Sequence, residues 1–299
     1  MSRFCNIGRP ENYTIYGNGC FTKENIGGCE FIISDSKRYS SLEKKIVIVT
    51  GASSGIGQAV AKRFGEEKAL VYNLDISKEH GDQHSSRYIK CDVSDEGEIK
   101  EAINEVVNNN GKIDVLINNA GIESFGSVHE TDVLEWKRII GVNLTGSFLA
   151  SKYVIPHMIK QGGVIEFMSS VQSEMIQKRL AAYVVSKHGV VGLMKSIALD
   201  YAPRIRSVAI CPGSVRTPLL EWTAVNEVGD DPIEIKKKYD EWGRLYPMKR
   251  IAEPSEIANL AVFLASEEAA YITGTSILMD GGLSIFLQES VPESGSEFK

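Results

Sequence analysis

Tyr183 and Lys187 stand four residues apart in AAYVVSKHGVVGLMKSIALDY (181–201), a stretch that reads as one helix. At that spacing their side chains share a face. A free phenol has a pKa near ~10 and is a poor base at neutral pH. Lowering it by about three units takes ~4 kcal/mol, and an ammonium ~4 Å away at an effective dielectric of ~20 contributes about that much. Such a pair could remove the proton of a substrate hydroxyl. The spacing alone is common on helices and decides nothing.

A second group of residues suits an anion. Thr50-Gly51-Ala52-Ser53-Ser54-Gly55-Ile56-Gly57 joins the β-branched run KIVIVT (45–50) to the helical pattern GIGQAVAKRFGEE (55–67). Glycines at such a turn let the backbone approach a pyrophosphate, and the helix N-terminus offers N–H donors and partial positive charge. Gly51, Ser53, Ser54, Gly55, Ile56 and Gly57 are therefore candidate dinucleotide-binding residues. Asp75, 24 residues after Gly51, closes the next apolar run. A carboxylate there can accept both ribose hydroxyls of an adenosine. It would also repel a 2′-phosphate, by about 4 kcal/mol per unit charge at ~4 Å and an effective dielectric of ~20. The expected cofactor is NAD, with NADP a poorer substitute. A turn or helix cap is the plainer alternative for Asp75.

The elements that would position these groups alternate along the chain. Strand-like runs occur at 45–50, 69–74, 87–90, 113–118, 163–168, 205–210 and 276–280. Helical patterns fall at 55–67, 96–109, from about 132 to 159, at 181–201 and at 254–266. Near-continuous apolar strands separated by helices imply a parallel sheet covered on both faces. The expectation is α/β: a Rossmann-like, doubly wound seven-stranded parallel sheet in three layers, α/β/α. The catalytic domain would span 42–285. Residues 1–41 read as an irregular or disordered extension and 286–299 as a tail.

Composition sets limits on function. Of 299 residues, 43% are hydrophobic and 24% charged, enough apolar material for a sizeable core. A net charge of −6 disfavours a nucleic-acid or anionic-membrane surface. No apolar run reaches the roughly 18 residues of a membrane span, and the N-terminus lacks a signal-like apolar segment. The expected location is cytoplasmic. The five cysteines form no CxxC pair and histidine is scarce near them, so no metal site is expected.

The spacing Gly51-xxx-Gly55-x-Gly57 resembles that of the short-chain dehydrogenase/reductase family. The resemblance continues through Asp92 in CDV, Asn118-Asn119-Ala120-Gly121, Asn143 in VNLTG, Ser170 in MSSV and Tyr183-xxx-Lys187. It closes with Pro212-Gly213, Thr217 and Asp280-Gly281-Gly282, covering about residues 44–284. It implies a catalytic set of Asn143, Ser170, Tyr183 and Lys187. Tyr183 would be the base while hydride passes to the nicotinamide, and Ser170 would hold the substrate oxygen. Asn143 would anchor a water linking Lys187 to solvent. The resemblance also assigns cofactor contacts to Asp92, Val93, Asn118, Ala120, Gly121, Tyr183, Lys187, Pro212, Gly213, Val215 and Thr217. A turn former and a helix cap remain open for Asp92 and Thr217. A homotetramer is the implied assembly, through the 132–159 and 181–201 helices.

Several stretches, among them NNAGIESFG (118–126) and GDDPIEIKKKYDEWG (229–243), are similar to D-aldohexose dehydrogenases, which oxidise C1 of glucose or mannose to the lactone. Substrate contacts then fall to Glu123, Ser170 and Tyr183. A carboxylate at Glu123 could accept two neighbouring sugar hydroxyls in charge-assisted bonds. A solvated loop glutamate is the alternative. Segment 214–250 departs from the alternation and holds Trp222, Trp242 and Tyr246; these aromatics either face a sugar or pack a lid onto the core. Two rivals stay open: another short-chain alcohol dehydrogenase or 3-oxoacyl reductase, and a non-catalytic dinucleotide-binding regulator.

Overall fold

Every residue of Ile46–Thr50 (β1) is buried, as is every residue of Val115–Asn118 (β4). These strands lie side by side at the centre of a seven-stranded sheet. The remaining strands are Leu70–Asp75 (β2), Arg87–Lys90 (β3), Gly163–Met168 (β5), Ile205–Pro212 (β6) and Ser276–Met279 (β7). All pairings are parallel, in the order β3-β2-β1-β4-β5-β6-β7. The computed structural model describes residues 15–16, 20–21, 39–77 and 86–286. It divides into two units, 1–38 and 39–299. In the first, Ile15–Tyr16 pairs antiparallel with Cys20–Phe21. Residues 39–41 of the expected N-terminal extension belong to the second unit, with Tyr39 packed against its core; the rest of the extension, and the tail beyond residue 286, lie outside the described residues.

Side chains alternate across the sheet, as the period of a strand requires. Ile46 and Ile48 enter one core with Ile99, Ala150, Val190 and Phe167. Val47 and Val49 enter the opposite core with Val60, Phe64, Ile257 and Val262. The first core is roofed by Glu96–Asn110 (α2), Gly146–Met158 (α4) and Ala181–Tyr201 (α5), and the second by Gly55–Glu66 (α1) and Pro254–Ala265 (α8). The expected three-layer architecture is present. Strand order reverses between β1 and β4, and a crevice at such a switch point is where open α/β sheets bind ligands.

Local chemistry sets the helix limits. Asp95 accepts the Glu98 amide to start α2, and Gly111 in the left-handed region ends it. Asp132 likewise caps Val133–Ile140 (α3). The helix expected over 132–159 is interrupted by one wider, π-helical turn at Gly141–Thr145, a feature common at functional sites. Segment 214–250 folds into two helices, Pro218–Val228 (α6) and Pro232–Arg244 (α7), capped by Thr217 and Asp231. Among the described residues no helix is long and apolar enough to cross a membrane.

Candidate active site

The C-terminal strand ends open onto a cleft of about 1070 Å³. Its cofactor half begins at the turn after β1. Gly51 has φ +66°, and a Cβ there would sit 2.8 Å from the Ala120 Cα. A Cβ on Gly57 would fall 2.2 Å from the Gly51 carbonyl oxygen, so the turn closes only on glycine. No side chain caps α1, and Ser54, Gly55 and Ile56 border the cleft. Uncapped N–H donors at a helix start facing a cavity fit a pyrophosphate. Asp75 reaches the same cleft from the end of β2, and Asp92 and Val93 from the loop after β3. Asp92 is also a turn former: its Oδ1 accepts the Ser94 amide at 2.9 Å and the Ser94 hydroxyl at 2.7 Å. The lining of this half therefore suits a dinucleotide, which the α1 N-terminus and Asp75 would hold.

Three expected contacts, Gly57, Asn118 and Ser53, do not border the cleft. Asn118 is only 3% exposed and does not border the cleft; its amide donates to Ser151 on α4 at 3.2 Å. The next residue, Asn119, borders the cleft instead, and its side-chain amide donates to the Thr50 and Gly51 carbonyls at 3.0 and 2.9 Å. Strand alternation turns adjacent side chains to opposite faces, so one residue of register separates core from cleft. Ser53 is buried beneath the turn and does not border the cleft either. Ala120 and Gly121 do, as do Pro212, Gly213, Val215 and Thr217 on the far side. Thr217 is at once cleft wall and helix cap: its hydroxyl accepts the Leu220 amide at 3.2 Å.

At the centre of the cleft α5 presents Tyr183 and Lys187, 8% and 5% exposed. Ser170, at the end of β5, accepts the Gln172 amide at 3.1 Å and is hydrogen-bonded to the Tyr183 hydroxyl. Lys187 Nζ donates to the Met168 carbonyl at 2.8 Å and lies 5.4 Å from the Tyr183 ring centre. Asn143, on the π turn, is buried behind them. Its amide accepts from the Ile122 N–H at 2.9 Å and donates to the Ile122 carbonyl at 2.9 Å and to Ser186 at 3.0 Å. Ser186 in turn donates to the Tyr183 carbonyl at 2.7 Å. It lies inside the YVVSK run, and sequence reasoning passed over it because a small polar residue in a helix carries no signal of its own.

The electrostatics correct one expectation. Burial pushes the Tyr183 phenol above its usual range; the nearby Glu123 charge adds to the rise and the Ser170 hydrogen bond opposes it. Burial also lowers Lys187 to about 8. The phenol therefore shifts upward where the helix spacing alone suggests a fall, because burial penalises the charged form of each group.

The substrate half is built from the β4–α3 loop and α6. Glu123 is half-buried on the cleft wall, and Thr223 of α6 donates to its Oε1 at 3.3 Å. Burial raises the Glu123 carboxyl, while the Thr223 bond and Lys187 pull it back. Phe125 stacks on Trp222 with ring centres 6.0 Å apart and planes 11° from parallel. Tyr246 borders the cleft and also packs the lid: its hydroxyl accepts the Ser214 amide at 2.8 Å, and its ring fills the space a Gly213 side chain would need. Trp242 both packs on Tyr239 and borders the cleft.

Comparison with known proteins agrees with this architecture. A family model described as enoyl-(acyl carrier protein) reductase matches residues 51–284. The ligand-free aldohexose dehydrogenase of Thermoplasma acidophilum superposes with a TM-score of 0.83 at 49% identity, over 85% of this chain and all of that one. The meso-2,3-butanediol dehydrogenase of Serratia marcescens is 37% identical over 248 residues, 80% of this chain and 94% of its own. The 2-(R)-hydroxypropyl-CoM dehydrogenase of Xanthobacter autotrophicus is 38% identical over 252 residues, 79% of this chain and 97% of its own.

Proposed function

The chain belongs to the short-chain dehydrogenase/reductase family, an NAD(P)-dependent oxidoreductase acting on alcohol-type substrates, and on that premise we propose that it oxidises C1 of an aldohexose to the lactone with NAD. The observation that carries the proposal is the carboxylate of Glu123 in the same cleft as Tyr183 and Ser170. A sugar offers vicinal hydroxyls to that carboxylate, which a ketone or acyl thioester does not. The 49% identity with an aldohexose dehydrogenase supports the same substrate class.

NAD, when bound, would supply the hydride acceptor for C1. The α1 N-terminus and Asp75 would hold its pyrophosphate and adenosine ribose, and the neighbourhood of Lys187 its nicotinamide ribose. Glu123 accepts two sugar hydroxyls and sets which carbon faces the cofactor. Ser170 and Tyr183 converge on the C1 oxygen, and Tyr183 takes its proton. Lys187, close to 8 and hydrogen-bonded at Met168, can exchange a proton near neutral pH. Asn143 holds the loop at Ile122 that carries Glu123 one residue on.

We infer further that the chain assembles as a homotetramer. Val133, Leu134 and Trp136 on α3, Phe148 on α4, and Val185 and Leu199 on α5 are large apolar side chains left exposed. Apolar surface on helices of this kind marks association. Light scattering at micromolar concentration reads the assembly, and a monomer overturns it. For the chemistry, the test is NAD and NADP reduction followed spectrophotometrically with hexoses, vicinal diols and secondary alcohols. Hexoses with NAD should give the highest kcat/KM. A preference for 2,3-butanediol over every hexose replaces the sugar assignment with a diol, which also offers Glu123 two adjacent hydroxyls.

A further inference from the structure

β2 is interrupted by two polar residues, Asn73 and Asp75, and Asn73 is only 1% exposed. It stands two residues before Asp75, so both side chains leave the same face of the strand, toward the Gly-rich turn. All its hydrogen bonds go to that turn. Its Oδ1 accepts the Ala52 amide at 3.1 Å, and its Nδ2 donates to the Ser53 hydroxyl at 3.0 Å. Ser53 passes the hydroxyl proton on to the Ser77 carbonyl, and its own amide donates to Asp75 Oδ2 at 3.0 Å. The Ser77 amide donates to Asp75 Oδ1, also at 3.0 Å. Each carboxylate oxygen of Asp75 is thus gripped once by backbone. Each keeps further lone-pair capacity, and the residue borders the cleft.

We propose that Asn73 and Ser53 are positioning residues that hold the Asp75 carboxylate in place for the adenosine ribose, so that discrimination between NAD and NADP depends on a buried network that touches neither cofactor. A free aspartate at a strand end could rotate away from a 2′-phosphate and lose much of its selectivity. Gripped on both oxygens, with the gripping amides themselves tied through Ser53 to the buried Asn73, it cannot turn without breaking two part-buried hydrogen bonds. Ser53 thereby acts through Asp75, consistent with its burial beneath the turn.

The inference rests on the NAD reading, and fluorescence titration of the intact chain with NADH and with NADPH, without substrate, separates the two. The parent should bind NADH more tightly, and Asp75→Ala should erase that preference. Ser53→Ala and Asn73→Ala should each weaken NADH about tenfold while changing NADPH less than about twofold. Ser53→Thr, which keeps the hydroxyl, should retain the parent ratio. Thermal melts check that each variant is folded; if Asn73→Ala is not, Ser53→Ala, which removes one hydroxyl, decides alone. Equal loss for both cofactors, or an unchanged ratio in Ser53→Ala while Asp75→Ala collapses it, overturns the positioning role and leaves the NAD reading standing. A parent that binds NADPH as tightly as NADH removes the NAD reading, and the inference with it.

Discussion

The two halves of the cleft are made in different ways. The cofactor half is backbone: a turn closed on Gly51 and Gly57, an uncapped helix start, and a network from Asn73 to Asp75 buried under it. The substrate half is side chains on long connections. Its contacts join residues about a hundred apart, Glu123 with Thr223 and Phe125 with Trp222, and those two rings are 39% and 45% exposed. A site read by backbone tolerates few changes and serves one ligand class. A site read by half-exposed side chains can be altered one residue at a time. Relatives named for an aldohexose, meso-2,3-butanediol and 2-(R)-hydroxypropyl-CoM are 37–49% identical to this chain, while the substrates in their names differ.

The sharpest break in this division is at Tyr183, where the halves meet. Tyr183→Phe should lower kcat by about 10²–10⁴-fold for every substrate, with NADH affinity nearly unchanged. A residual rate near that of the parent would move the base elsewhere. Glu123→Ala should act on the substrate half alone. Leaving sugar hydroxyls unpaired in a partly dry pocket costs about 1.5–3 kcal/mol, or roughly ten- to hundredfold in kcat/KM for hexoses. A hydrophobic alcohol, where accepted, should lose little. Comparing substrates within the one variant cancels any general damage, and equal retention of glucose and mannose oxidation would make Glu123 a solvated loop residue.

The proton chemistry has its own signature. Tyr183 is pushed up and Lys187 down to about 8, both by burial. Oxidation needs the pair to have lost a proton, so kcat/KM for the alcohol should climb about tenfold per pH unit below ~8 and then level off. A flat profile from pH 6 to 9 would contradict this. A smaller effect is expected behind the wall: Trp222→Ala, which removes the ring stacked on cleft-lining Phe125, should raise the hexose KM a few-fold and leave kcat and NADH binding alone. A fall in NADH affinity there would blur the two halves.

A control outside both halves sits in the sheet. Glu166 of β5 is fully buried, neither of its carboxylate oxygens has a hydrogen-bond partner, and burial holds it well above the usual carboxylate range despite Arg206 nearby. The folded state then binds more protons than the unfolded one, so its contribution makes stability fall as pH rises above the ordinary carboxyl value. Glu166→Gln should remove that part of the slope. Urea unfolding at pH 5 and pH 8 should show the variant gaining on the parent at the higher pH, with activity unchanged. A difference that does not vary with pH would mean that Glu166 is not the titrating group.

What the amino-acid order determines here is local. The seven expected runs became the seven strands. Five are buried along most of their length, where a strand covered on both faces must be apolar, and the two edge strands, Arg87–Lys90 and Ser276–Met279, are partly exposed. The Gly51–Gly57 turn and the Tyr183–Lys187 pair are likewise legible, since each depends on residues within one turn or one helix. Tertiary structure decided the rest. It sent Asn118 to the core and Asn119 to the cleft, a matter of which face of β4 each side chain meets. It joined Asn73 and Ser53 to Asp75 through bonds spanning more than twenty residues. Thr223 met Glu123 in the same way, across a hundred. It also reversed the expected acidification of Tyr183, because desolvation depends on everything packed around the phenol and not on the lysine four residues away.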